Sequence, residues 1–418
     1  MTTAQAETHT SAYYMELENK YGAHNYKPLP VVLERASGVF MWDVEGKRYY
    51  DFLAAYSAAN QGHCHPRLVK VMQEQAEKLT LTSRAFYNNK LGEAEKYLAE
   101  TFGYDKVLMM NGGVEAVESA IKLARRWGYV KKQIPENEAI VVAVANNFHG
   151  RTLAVVSFST DRTARTNFGP FIKGTYLVPF NDLESLDKAL SNPNVCAFLV
   201  EPIQGEAGVV VPDEGYLKGA QEICRKHNVL FITDEIQSGL ARTGKMLAQH
   251  YEEGVRADIL ILGKALSGGM MPVSAVLADD EVMLTINPGE HGSTFGGNPL
   301  AAAITIESVK VLDDENLAEN SFRLGKIFRA YLRELKNPLI RLVRGKGLLN
   351  AIQIQDDKNE NAAYEICLAM MRKGLLAKQT HGNVIRFAPP LCITEEQLME
   401  CCEIIKAALE DYTSQSKP

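Results

Sequence analysis

The chain has 418 residues, with 45 Lys plus Arg against 51 Asp plus Glu for a formal charge of −6, and 46% hydrophobic residues. That length supports a sizeable core without metal or disulfide staples, and the mild acidity argues against nucleic acid as partner. No apolar run reaches the roughly 20 residues that a membrane-crossing helix needs.

Residues 1–56 read as an N-terminal arm. Its first 19 residues hold Glu7, Glu16 and Glu18 but no Lys or Arg, and they lack an apolar signal core, so neither a transit peptide nor a secretory signal is expected. The seven cysteines are odd in number and irregularly spaced, which fits a reducing compartment better than a disulfide framework. Together these features predict a cytoplasmic protein. Within the arm, runs at 39–42 and 48–52 flank the turn residues of 43–47 and predict a short hairpin.

Residues 57–297 alternate β-rich runs with helical patterns. The runs lie at 107–110, 140–145, 153–158, 176–178, 197–200, 230–233, 259–262 and 273–278. Most are continuously apolar, as strands covered on both faces are. Val117, Ala120, Ile121 and Ala124 mark one face of a helix after the first run, and Leu217 through Cys224 mark another. The alternation predicts an α/β layer with a mostly parallel sheet and helices on both faces. Residues 298–418 change to long amphipathic helices with fewer strands and predict a smaller α+β domain.

Ligands of open α/β sheets sit outside the carboxyl ends of the strands. Asn111-Gly112-Gly113-Val114-Glu115-Ala116 follows the first run. Paired glycines opening a helix bring backbone N–H groups to an anion, although a plain strand-to-helix turn has the same composition. Asp234-Glu235 follows another run, and a carboxylate at that mouth needs a cation or a donor unless it only caps a helix. Lys264 has apolar or small neighbours on both sides. Its amine is expected to be desolvated and nucleophilic, as a Schiff base requires, with a snorkelling lysine as the alternative. His291-Gly292-Ser293-Thr294-Phe295-Gly296-Gly297-Asn298-Pro299 offers two hydroxyls among glycines, suited to a second anion contact or to an Asx-type loop. A nucleophilic lysine, a carboxylate for a ring nitrogen and two anion loops together describe a site for pyridoxal 5′-phosphate.

Further motifs carry a family resemblance over residues 21–409. They are Tyr-Gly-Ala-His-Asn-Tyr (21–26), Gln-Gly-His-Cys-His-Pro (61–66), Ser-Arg-Ala-Phe-Tyr-Asn-Asn (83–89), Glu-Pro-Ile-Gln-Gly-Glu-Ala-Gly (201–208), Asp-Glu-Ile-Gln (234–237), Gly-Lys-Ala-Leu-Ser-Gly-Gly (263–269), Pro-Gly-Glu-His-Gly-Ser-Thr (288–294) and Arg-Phe-Ala-Pro-Pro (386–390). With them the sequence resembles the class III (subgroup II) PLP-dependent aminotransferases of fold type I, and most closely their ornithine-specific branch. The resemblance implies ping-pong transfer of the δ-amino group of L-ornithine to 2-oxoglutarate. The products would be L-glutamate and L-glutamate 5-semialdehyde, which cyclises to pyrroline-5-carboxylate. N-acetylornithine or 4-aminobutyrate remains open as the donor.

The resemblance also implies roles. Lys264 would hold the cofactor and shuttle the proton, and Asp234 would hold the pyridine nitrogen protonated. Gln237 would reach the ring hydroxyl, while Phe148 and Ile236 would cover the two ring faces. Gly113 and Val114 would meet the phosphate. Ser293 and Thr294 correspond to phosphate contacts that the family donates from the neighbouring subunit, which implies a homodimer with shared active sites. Arg386 would clamp the α-carboxylate of glutamate or 2-oxoglutarate, with Glu206 paired to it until that carboxylate arrives. Arg151 would bind the far carboxylate, and Tyr26 and Tyr56 would recognise ornithine. Gly112 stands where many relatives have threonine, and Phe295 where many have tyrosine. The isolated His63-Cys64-His65 cluster predicts no metal site.

Overall fold

The computed structural model describes residues 10–356 and 359–415. Residues 1–9 of the expected arm, residues 357–358 and the last three residues lie outside the described residues.

The expected hairpin forms. β1 (Leu33–Ser37), β2 (Phe40–Asp43) and β3 (Arg48–Asp51) make an antiparallel meander. Asp43 fastens its turn: one carboxylate oxygen accepts from the Lys47 N–H at 2.7 Å and the other from the Tyr49 hydroxyl at 2.7 Å. The segment is not a free arm, because β3 pairs in parallel with β13 (Leu375–Leu376) of the C-terminal region.

Seven strands form the central layer: β4 (Lys106–Met110), β5 (Ile140–Val144), β6 (Thr175–Val178), β7 (Val195–Val200), β8 (Leu230–Asp234), β9 (Ile259–Leu262) and β10 (Ser274–Ala278). Their order is β4-β10-β9-β8-β7-β5-β6, and only β10 runs against its neighbours. The sheet is therefore mostly parallel, as the unbroken apolar runs predict. β7, β9 and β10 are buried along their whole length. One face packs on helix Gly113–Val130 through Val117, Ala120, Ile121 and Ala124; the other packs on helices Leu183–Leu190 and Tyr216–Lys226.

One expected strand is not a strand. Within 153–158, Leu153–Val156 is a helical turn, with the N–H of Val156 bonded to the carbonyl of Thr152. An apolar run this short fits either state, and here Val155 is buried against the helix that starts at Gly113, outside any sheet edge.

A third sheet, β11 (Ile340–Lys346), β12 (Leu349–Ile354), β15 (Val384–Phe387) and β14 (Lys378–Thr380), is antiparallel in that order. Helix Leu317–Glu334 packs on this layer, and helix Glu395–Gln415 packs on helices Leu317–Glu334 and Ala362–Arg372. Helix Pro299–Asp314, which the sequence places with the small domain, lies mainly on helices Pro66–Ala76 and Leu91–Phe102 of the central layer.

Candidate active site

The chemistry-bearing residues gather at the carboxyl ends of β4, β7, β8 and β9. A cavity of about 190 Å³ there is lined by Gly113, Val114, Phe148, Asp234, Ile236, Gln237 and Lys264, together with His149 and Glu201. Local sterics explain the sequence at two of its corners. A Cβ on Gly113 would lie 3.1 Å from Ile236 Cδ1, so a larger residue would crowd the helix start against Ile236. A Cβ on Gly205 would fall 1.6 Å from Gln237 Oε1, so only glycine leaves that amide in place.

Asp234 closes β8 and is 4% exposed. One of its oxygens accepts from the Ile236 N–H at 3.1 Å, and the other lies 2.7 Å from His149 Nδ1. Burial opposes a charge on His149, but the hydrogen bond to Asp234 and the Asp234 charge outweigh it, so its pKa is raised. Glu201, at the end of β7, accepts from the Phe148 N–H at 2.9 Å, and burial pushes its carboxyl up to about 7. Lys264 follows Gly263 into a short 3-10 turn, and burial pulls its amine pKa down against the nearby carboxylates of Glu206, Asp234 and Glu201.

Substrate-side residues adjoin this cavity. Tyr26, Tyr56, Arg151 and Glu206 line an opening of about 1230 Å³ that also reaches Lys264. Arg386, in β15, donates from Nη1 to Glu206 Oε1 at 2.6 Å, and its guanidinium carbon lies 5.1 Å from the Tyr56 ring centre. Burial alone would raise the Glu206 pKa, but the Arg386 charge and hydrogen bond dominate and lower it. Gln237 Nε2 also donates to Glu206 Oε1, at 3.1 Å. Arg151 is more loosely held, 3.5 Å from Asp161 on the surface. Tyr26 is 74% exposed on the rim.

Ser293 and Thr294 are placed differently from the rest. The Ser293 hydroxyl accepts from Asn111 Nδ2 at 2.9 Å in its own chain, whereas Thr294 is exposed. His63 and His65 each face a carboxylate, Asp51 at 2.6 Å and Glu315 at 2.8 Å.

Residues 21–409 match the family model "Aminotransferase class-III". The chain belongs to that family. It is 58% identical to the mitochondrial ornithine aminotransferase of Rattus norvegicus over 96% of this chain and 91% of that one. Among solved structures it superposes with TM-score 0.96 on an ornithine aminotransferase from Toxoplasma gondii, described with PLP at its active site, at 47% identity over 98% of this chain and 96% of that one. An acetylornithine aminotransferase from Elizabethkingia anophelis follows at TM-score 0.88 and 55% identity, covering 96% and 99%. The fold is thus type I, and the cofactor of this class-III aminotransferase is pyridoxal 5′-phosphate.

The cavity fits that cofactor. Gln237 Oε1 and His149 Nε2 are buried in its wall without a partner among the described residues, an acceptor and a ring nitrogen suited to a polar ligand. Sequence reasoning missed Glu201 and the contact between His149 and Asp234. Glu201 carries the same signal that exposed Asp234, a carboxylate directly after a continuously apolar strand. The expected cytoplasmic location is overturned: the rat relative is named mitochondrial, as are those from Caenorhabditis elegans and Drosophila ananassae, whereas those from Plasmodium falciparum and Schizosaccharomyces pombe carry no such word. The cysteine usage behind that expectation reports a redox state, which is not an address.

Proposed function

We infer that this aminotransferase moves the δ-amino group of L-ornithine to 2-oxoglutarate, releasing glutamate and a semialdehyde that cyclises. The observation that carries the reading is the pair of buried Arg386 with half-buried Glu206 beside Lys264. A transaminase must take two unlike substrates in one pocket. Ornithine entering by its δ-amine brings no carboxylate to Arg386, and Glu206 then neutralises the guanidinium. Glutamate brings its own carboxylate, which displaces Glu206 and pairs with the unpartnered Nε of Arg386.

Bound pyridoxal phosphate supplies an electrophilic carbon and an electron-withdrawing ring. The protein supplies the rest. Lys264, whose amine burial makes easier to deprotonate, would serve as the covalent anchor and move the proton at the substrate carbon. Asp234, steadied by His149, would hold the ring nitrogen, and Gln237 would meet the ring hydroxyl. Phe148 and Ile236 would cover the ring. Gly113 and Val114 would offer N–H groups to the phosphate at the start of helix Gly113–Val130, where the helix dipole would add to the attraction. Exposed Thr294, with Ser293 beside it, is suited to reach a partner's phosphate in a homodimer. Arg151 takes the far carboxylate, while Tyr26 and Tyr56 select ornithine.

The test is the absorbance of the cofactor in the purified protein. Ornithine and glutamate should each convert it in single-turnover mixing, and multiple turnovers should depend strictly on 2-oxoglutarate. Conversion by N-acetylornithine but not by ornithine would instead support the second reading, which the 55% identity to the Elizabethkingia enzyme favours. Preference for 4-aminobutyrate over ornithine would likewise overturn the substrate assignment.

A further inference from the structure

Four consecutive residues, none of them glycine, occupy the left-handed region: Ala54, Ala55, Tyr56 and Ser57 have φ of 46°, 48°, 60° and 73°. Cβ crowds the following carbonyl in this region, so side-chain-bearing residues visit it singly and rarely in a row. A turn of this kind persists only where its surroundings over-determine it.

Asp51 supplies the first constraint. It is 2% exposed, and its Oδ1 accepts from the N–H groups of Leu53 and Ala54, each at 2.8 Å. His63 Nε2, 2.6 Å from Oδ2, holds the carboxylate in that orientation. The ends of the turn are tied to the active site from both sides. The carbonyl of Phe52 accepts from the Ala388 N–H at 2.8 Å, two residues beyond Arg386, and Gln61 Nε2 donates to the carbonyl of Ala265, next to Lys264, at 3.0 Å. Tyr56 is the side chain this geometry delivers, with its ring centre 5.1 Å from the Arg386 guanidinium carbon.

We propose that Asp51, oriented by His63, is a positioning residue for substrate choice: it locks the left-handed turn that keeps Tyr56 against Arg386. A ring on the guanidinium excludes water from one face and so strengthens the Arg386–Glu206 pair. A stronger pair is harder for a glutamate carboxylate to displace, which favours ornithine. A right-handed or extended turn would carry the Tyr56 ring elsewhere, hydrate Arg386 and tilt the balance toward glutamate.

The inference rests on the ornithine reading above. Its test uses the holoenzyme, with single-turnover rates for ornithine and for glutamate and the thermal midpoint of each variant. Asp51→Ala should lower the ornithine-to-glutamate rate ratio by about tenfold, the size expected for a partly desolvated cation–π contact. Asp51→Asn keeps an acceptor for Leu53 and Ala54 and should restore the ratio. Ala55→Val puts a β-branched residue in the left-handed region at an exposed position, so it strains the turn without removing a buried contact; the ratio should fall while the midpoint drops only slightly. Combining Asp51→Ala with Tyr56→Ala should give no lower ratio than Tyr56→Ala alone. A ratio that stays at the wild-type value in Asp51→Ala and Ala55→Val while Tyr56→Ala lowers it, or strict additivity in the double variant, would overturn the proposal. Should Asp51→Ala fail to fold, Ala55→Val decides. Failure of the substrate reading shows separately, as wild-type protein that ornithine does not convert; the same non-additivity is then required of the glutamate rate.

Discussion

Arg242 and Arg386 are both buried arginines, 0% and 4% exposed, yet they are held in opposite ways. Arg242 meets neutral acceptors: Nε and Nη2 donate to Asn60 Oδ1 at 3.1 and 2.6 Å, and Nη1 donates to the carbonyls of Leu348 and Pro389 at 3.1 and 2.6 Å. Burial pulls its pKa down to about 9, which leaves it protonated at neutral pH. Arg386 meets the Glu206 carboxylate at 2.6 Å and, more loosely, the Gly205 carbonyl at 3.5 Å, and its Nε has no partner among the described residues. Three segments far apart in sequence converge on Arg242, so it acts as a bolt that no single movement can release. Rotation of Glu206 would leave Arg386 only the long contact to the Gly205 carbonyl. A buried charge is static when several fixed neutral dipoles share it and exchangeable when one charged side chain supplies most of the match.

The largest effect should come from removing the bolt. Arg242→Leu leaves Asn60 Oδ1 and two carbonyls buried and unpaired, at a cost of about 3–5 kcal/mol of stability. Urea denaturation of the holoenzyme should show that loss, while the protein that remains folded keeps its ornithine-to-glutamate ratio. A loss near zero, or an altered ratio, would show that Arg242 is not a purely structural bolt. Arg386→Lys should do the reverse. An ammonium beside Glu206 preserves the charge pair but not the planar fork, so stability should change little while kcat/KM for glutamate falls about a hundredfold.

Much of the site was legible because chemistry follows strand ends. The unbroken apolar runs placed the sheet, and the residues directly after them included Asn111, Asp234 and Gly263-Lys264; Glu201 stands in the same position but was passed over. Arg242 gave no such signal, since it sits in a loop whose partners at Asn60, Leu348 and Pro389 are local to nothing in sequence. The turn at Ala54–Ser57 was equally silent: alanine and serine do not announce positive φ, and the constraint comes from Asp51 and from distant tethers. The error at 153–158 has a different cause, because a six-residue apolar run is compatible with either secondary structure until its packing partner is known.

Glu201 is a buried acid whose hydrogen-bond partners are neutral, the N–H groups of Phe148 and Gly205 at 2.9 and 3.4 Å. Burial raises its folded pKa to about 7 from an ordinary value of 4.5. Between those values the folded state holds a proton that the unfolded state has released, so stability falls as pH rises through the window and the loss is complete above about 7. Glu201→Gln removes the titration. Relative to wild type the variant should gain about 2 kcal/mol in urea between pH 5 and pH 8. Glu235, also raised to about 7, is present in both proteins and cancels. Parallel stability curves for the two proteins would show that Glu201 is not an unmatched buried charge.

Glu206→Gln isolates the exchangeable partner itself. Glutamine keeps an oxygen for Arg386 but loses the charge, so ornithine must bind beside an uncompensated guanidinium. Its half-reaction should slow about tenfold, since the repulsion it meets is screened by the open side of the pocket. Glutamate no longer has to displace a charged competitor, and its half-reaction should hold or quicken. Stability separates this from simple damage. The folded pKa of Glu206 is lowered by Arg386, so its contribution is present above its ordinary value of 4.5 and is lost as pH falls through the folded value. The stability gap between wild type and Glu206→Gln should therefore be constant at neutral pH and close in acid. If both half-reactions fall together, Glu206 only holds Arg386 in place, and the distinction between the bolted and the exchangeable arginine fails at the residue meant to embody it.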